Sequence, residues 1–133
     1  MNMKTIHYSG TRKSAVARAT LVPGTGKVTV NGVPLDVIEP KLARMRLREP
    51  ILIAEEAAEK VDIRVTVHGG GFMGQSEAAR IAIAKVLVGF QKKLQDAFLK
   101  YDRHMLVADV RRKETRKPNS HGKARAKRQK SYR

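Results

Sequence analysis

Along Val61–Val67, in the run VDIRVTV, apolar and polar positions alternate: Val61, Ile63, Val65 and Val67 fall on one side, Asp62, Arg64 and Thr66 on the other. A repeat of two residues marks a strand buried on one face only. SAVARATLV, Ser14 to Val22, is also β-compatible, and it ends in the turn-forming PGTG of Pro23–Gly26. KVTVNGVPL then places Val28 and Val30 on one face and follows them with Asn31-Gly32, a pair that tolerates positive φ and predicts a tight hairpin. A short basic helix is predicted from Pro40 to Glu49, with Pro in its first turn and Pro50 ending it. Leu42, Met45 and Leu47 are its expected buried side. After the mixed segment ILIAEEAAEK, and beyond the VDIRVTV strand, the period changes. From about Gln75, Ala79, Ile83, Val86, Leu87, Phe90, Leu94 and Phe98 recur at helical spacing. They predict one long helix toward Tyr101–Asp102 whose stripe is core. The elements add up to an α+β fold, an antiparallel-leaning sheet packed on helices.

Between the alternating strand and the long helix lies VHGGGFMGQSEAAR, with a G-x-G-x-x-G pattern at Gly69, Gly71 and Gly74. A dinucleotide-binding unit needs, beyond those glycines, a second strand carrying an acid about twenty residues on. Here the helix is followed by RHMLVADV and then a basic run, so that half is missing. A phosphate-binding Walker loop fails as well, because GQSE stands where Gly-Lys-Ser/Thr is required. Two uses remain for the glycines. One is steric, a sharp reversal or close approach at Gly69, Gly70 and Gly71. The other is an anion site made by N–H groups near Gly74, Gln75 and Ser76 at the helix start, strengthened by Arg80 and Lys85 if they project to the same side.

Charge sharpens the choice. Of the 133 residues, 28 are Lys or Arg and 12 Asp or Glu, a formal net charge of +16, which makes a polyanion the natural partner. The excess is concentrated beyond residue 109: VRRKETRKPNSHGKARAKRQKSYR, 110–133, holds eleven basic residues and the single acid Glu114. With only Val110 and Tyr132 as sizeable apolar groups, this tail is expected to be disordered in the free protein. Pro118 and Gly122 keep it from forming one continuous helix, and extended it spans roughly 80 Å. The chain therefore divides into a body, 1–109, and a basic extension, 110–133. Candidate phosphate contacts in the tail are Arg111, Arg112, Lys113, Arg116, Lys117, Lys123, Arg125, Lys127 and Arg128. Those in the body are Arg12, Lys13, Arg18, Arg44, Arg46 and Arg48, together with the loop residues Gly69, Gly70, Gly71, Gln75 and Arg80.

Catalytic and metal chemistry finds little support. There are no cysteines, which removes disulfides and thiolate chemistry and fits a reducing compartment. His7, His68, His104 and His121 lack ligand spacing, and Glu55, Glu56 and Glu59 read as a solvated surface. No cofactor or metal is expected. The N-terminus has no apolar signal region and no run approaches the ~18 apolar residues of a span, so no membrane partner is expected and the protein reads as soluble and intracellular.

GTRKSAVARATLVPGTGKVTVNG (10–32), GGGFMGQSEAARIAIAKVL (69–87) and the ending KRQKSYR together closely resemble the universal small-subunit ribosomal protein nine family, in the right order over nearly the whole chain. The resemblance implies a fold like domain two of ribosomal protein five, a βαβ-containing unit shared with some small-molecule kinases. It further implies a non-enzymatic body bound to small-subunit rRNA in the head, beside neighbouring ribosomal proteins of the cytoplasmic ribosome. The tail is implied to reach toward peptidyl-site tRNA with Lys130, Ser131, Tyr132 and Arg133. Bacterial members typically end Ser-Lys-Arg; the Ser-Tyr-Arg ending here resembles archaeal and eukaryotic members. A kinase-type enzyme using the same loop and a free-standing RNA-binding regulator are the alternatives.

Overall fold

The structure is a computed structural model that describes residues 4–120 and 122–125. Five strands, β1 (Ile6–Arg12), β2 (Ala15–Pro23), β3 (Val28–Val30), β4 (Val33–Pro34) and β5 (Val61–His68), form one sheet in the order β1-β2-β5-β3-β4. All pairings are antiparallel except β3 with β5. The alternation seen in the sequence is realised: Ala15, Ala17, Ala19 and Leu21 of β2 and Val61, Ile63, Val65 and Val67 of β5 are buried on the same side. Asn31 (φ 51°) and Gly32 (φ 80°) make the β3–β4 turn, and Asn31 does more than turn. Its Nδ2–H donates to the Val67 carbonyl (3.2 Å) and its Oδ1 accepts from the Val67 N–H (2.8 Å), so the side chain continues the ladder onto β5.

The helices lie on the buried side of the sheet. They are α1 (Lys41–Ala54), a single turn α2 (Glu56–Glu59), α3 (Phe72–Phe90) and α4 (Leu94–Tyr101). Buried on α3 are Ala78, Ala79, Ala82, Ile83, Val86 and Leu87, because the sheet covers one flank of the helix and α1 and α4 cover another. Small residues set the spacing: a Cβ on Gly10 of β1 would lie 2.4 Å from the Ala78 carbonyl oxygen, so strand and helix meet at backbone distance.

Three expectations about the helices are corrected. Pro50 does not end α1; it is fully buried inside the helix, and Ile51 and Ala54 beyond it pack on the core and carry the helix on despite the missing N–H. The buried side of α1 is Ala43, Leu47, Pro50 and Ala54, while Leu42 and Met45 are exposed. The long helix is two: α3 ends at Phe90, the extended Gln91 breaks it, and α4 turns back. An unbroken helix from 72 to 101 would run about 45 Å and carry Phe98 past the sheet; the break returns Phe98 to full burial. The strand β1 carries no clear alternation and was not anticipated.

Candidate nucleic-acid interface

The β1–β2 hairpin turns at Lys13 and Ser14, with Arg12 paired to Ala15 and Lys13 held at φ 53°. Exposed Lys13 thus stands at the hairpin tip. The glycine loop closes against that tip. Gly69 (φ 78°) and Gly70 (φ 64°) take left-handed conformations, and a Cβ on Gly69 would meet the Ser14 carbonyl oxygen at 2.6 Å, one on Gly70 Ala15 at 3.1 Å. The steric use of the glycines therefore holds at these two. Gly71 is different, having ordinary φ and open space where its Cβ would be.

Helix α3 starts at Phe72, earlier than the pattern suggests, and this moves the unpaired amides. The Gln75 N–H is already bonded to the Gly71 carbonyl (2.9 Å), so the amides at the helix start belong to Phe72, Met73 and Gly74 rather than to Gly74, Gln75 and Ser76. The Gln75 side chain donates to the Gly69 carbonyl (3.0 Å) and fastens the loop, while the Ser76 hydroxyl donates to the Met73 carbonyl (2.8 Å). Neither Arg80 nor Lys85 is brought to the loop. Lys85 donates to the Ser9 carbonyl (3.1 Å).

Arg80 is 5 % exposed and belongs to an ionic cluster rather than to the loop. Its Nη2 lies 2.7 Å from Glu49 and 3.0 Å from Asp102, with Nε unpartnered among the described residues. Burial raises the Asp102 pKa, but the His104 N–H and the Arg80 guanidinium outweigh it and hold the carboxyl below the ordinary value. Arg12 joins the same cleft through Glu77 (2.7 Å) and Asp109. Asp109 also accepts from the Arg111 N–H (2.8 Å) and guanidinium, the latter being the main reason its pKa is strongly depressed. Arg112 donates to the Thr11 hydroxyl (2.8 Å), so the start of the tail is tied to β1 beside the Arg12–Asp109 pair.

On α1, Arg44 donates to the Asp36 carbonyl (3.2 Å), Arg48 pairs with the Asp36 carboxylate, and Arg46 stands 3.6 Å from Glu49. Arg18 is exposed on β2. In the tail, Lys113, Arg116, Lys117 and Lys123 are exposed, and Arg125 pairs with Glu114 at 2.6 Å, which lowers the carboxyl's pKa. The described part of the tail carries neither helix nor strand. Lys127, Arg128, Lys130, Ser131, Tyr132 and Arg133, like His121, lie outside the described residues. Among the described residues no group of three or more His, Asp or Glu is placed to hold a metal ion, and no helix is long and apolar enough to cross a membrane.

A family model described as Ribosomal protein S9/S16 matches residues 10–133. The chain is 47% identical over 134 residues to the small ribosomal subunit protein uS9 of Methanococcus maripaludis, covering 98% of this chain and 100% of that one. Its counterpart in Methanothrix thermoacetophila is 48% identical over 133 residues, with the same coverage. The chain belongs to the ribosomal protein S9/S16 family. As a member it is a non-enzymatic, structural constituent of the small subunit of the cytoplasmic ribosome, working in translation among rRNA and other ribosomal proteins. Family membership sets aside the kinase-type reading of the glycine pattern, and the packing of the loop onto the hairpin tip gives Gly69 and Gly70 a structural task instead.

Sequence reasoning missed the acids that organise the cations of this family member. Glu49, Glu77, Asp102 and Asp109 come from four separate places in the chain, and no local spacing connects them to Arg12 or Arg80. Arg64 was also passed over as a contact, although its place on the polar side of VDIRVTV was visible.

Proposed function

We propose that the body, 1–109, binds small-subunit rRNA in the head and that the basic extension, 110–133, reaches toward the anticodon arm of peptidyl-site tRNA. The observation that carries the first part is the convergence of the hairpin tip, with exposed Lys13, on the glycine loop and the amides opening α3. A cation beside unpaired amides suits phosphate oxygens and reads no base edge. Arg44, Arg46 and Arg48 on α1 and the anchored Arg111 and Arg112 extend the cationic surface, and neighbouring head proteins fill what RNA leaves open. The body is read as a fold of the ribosomal protein five domain-two type, supported by the strand–glycine loop–helix unit of β5 and α3 set in a mixed sheet.

The terminal assignment is supported by charge and by the family ending: Lys130, Ser131, Tyr132 and Arg133 supply a guanidinium fork suited to phosphate at the end of the chain. Two measurements test the proposal. If about six cations engage phosphates, log affinity for small-subunit rRNA falls with log salt with a slope of roughly −4 to −5, and deleting 110–133 flattens it. In small subunits carrying Arg133→Lys, weakened tRNA retention approaching that of Arg133→Ala supports directed recognition. Retention unchanged on removing Tyr132 and Arg133 together refutes the terminal contact.

A further inference from the structure

Helix α3 packs on one side of the sheet with α1 and α4 behind it. Among the described residues no helix or strand covers the other side, which the tail meets only at the β1 edge, where Arg112 donates to the Thr11 hydroxyl. The register shows what that open face carries. His7 of β1 stands opposite Thr20 of β2, which stands opposite Arg64 of β5; one step along, Arg18 stands opposite Thr66. Arg18 and Arg64 are thus diagonal neighbours on adjacent strands, close enough for both guanidiniums to meet one backbone stretch. Both are exposed, and neither has a hydrogen-bond or ion-pair partner among the described residues. Most other body arginines differ in this: Arg12, Arg44, Arg46, Arg48 and Arg80 are all engaged by acids or carbonyls. The one acid of the central strands on this face, Asp62, is occupied. Its Oδ1 accepts the N–H groups of Thr25 (2.9 Å), Gly26 (3.1 Å) and Lys27 (3.0 Å), so it is directed to the turn and away from the arginines.

We infer that this open face is a second RNA-docking surface, in which Arg18 and Arg64 take phosphates and Thr66 and His68 take sugar hydroxyls, while His7 and Thr20 bond to each other (2.9 Å). The inference rests on the reading that the chain binds rRNA. Charge complementarity selects RNA as the occupant: two uncompensated guanidiniums sit amid hydroxyl-bearing side chains, and the acid of the central strands on this face, Asp62, is held at the Thr25–Lys27 turn. A protein partner of comparable footprint would be expected to find an apolar centre, and this face has none. It has no aromatic platform in its middle either, so bases are not stacked, and the contact follows backbone shape rather than sequence.

The test uses the full chain and a small-subunit rRNA transcript. Arg18→Gln with Arg64→Gln is expected to weaken binding at least tenfold near physiological salt and to shrink the salt slope by roughly 1.4 to 1.8, two phosphates' worth. Arg18→Lys with Arg64→Lys should keep the slope, and Thr66→Lys should raise affinity and steepen it, a gain that misfolding cannot produce. Wild-type affinity and slope in the glutamine pair overturn the inference while leaving the rRNA reading standing. Intact rRNA affinity with lost incorporation into subunits assigns the face to a protein and also overturns it. No binding by the wild-type chain overturns both.

Discussion

Replacing Gly10 with alanine adds one methyl group, and the structure says where it goes. The new carbon would lie 2.4 Å from the Ala78 carbonyl oxygen, 2.8 Å from the Ala82 nitrogen and 2.9 Å from the Ile81 Cβ, against the 3.4 Å at which ordinary contact begins. Two of these neighbours are helix backbone, which cannot swing aside as a long side chain would. Strand and helix must separate by about 1 Å there, which opens gaps along the contact that Ala78 and Ala82 make with the sheet. Overpacking of this kind costs about 2–3 kcal/mol, the upper part of its usual range, because backbone has to give. For a body of this size that is a fall in Tm of roughly 8–12 °C. The assay is urea and thermal unfolding of the full chain, followed by circular dichroism. Gly71→Ala is the control: its Cβ meets nothing, its φ is ordinary, and the small gain from a stiffer unfolded chain is offset by a poorer helix cap, for a net change within about 0.5 kcal/mol. An unchanged Tm in the Gly10 variant, or a loss in Gly71→Ala as large as in Gly10→Ala, refutes the reasoning.

Arg80→Ala leaves Glu49 and Asp102 without their shared cation and is expected to cost about 3 kcal/mol of unfolding free energy by urea titration; lost rRNA affinity with unchanged stability would contradict its buried role. Asn31→Ala removes both hydrogen bonds to Val67 and places alanine at positive φ, so about 2 kcal/mol is expected, and faster amide exchange at Val67 is the local check. Asp109 has a folded pKa below its unfolded value, so its tie to Arg12 and Arg111 is at full strength above the ordinary carboxylate range and is lost only as pH falls through the depressed folded value. A carboxyl-carbon NMR titration of Asp109 with an ordinary midpoint would contradict this.

The strands that alternate cleanly were legible because burial on one face leaves its mark residue by residue, as in Val61–Val67 and in Asn31-Gly32 between two short strands. The glycine loop was legible as a reversal, and Gly69 and Gly70 meet that expectation. What failed to show in the sequence depends on contacts between distant segments. Pro50 ends helices by local rules, and only the packing of Ile51 and Ala54 overrides it. The break at Gln91 is set by where the sheet ends, which no local pattern encodes. Arg80 reads like any other cation until Glu49 and Asp102 arrive from 31 residues before it and 22 after it. Net charge named the class of partner, but which cations stay available was decided by acids scattered through the chain.

The position of β5 in the middle of the sheet governs how the protein can fold. Before β5 joins, the chain holds two separate hairpins, β1–β2 and β3–β4, and isolated hairpins are marginal in water. The pairing that unites them brings Val16 beside His68 across roughly fifty residues of chain, so loop-closure entropy is lost before the contact rewards it. Non-local pairing of this kind slows folding and places the rate-limiting step late. A fragment stopping before Val61 has no sheet to retreat to, and a lesion in β5 removes the hairpin tip and the open face together. With β5 at its centre, the sheet is expected to form as one cooperative unit.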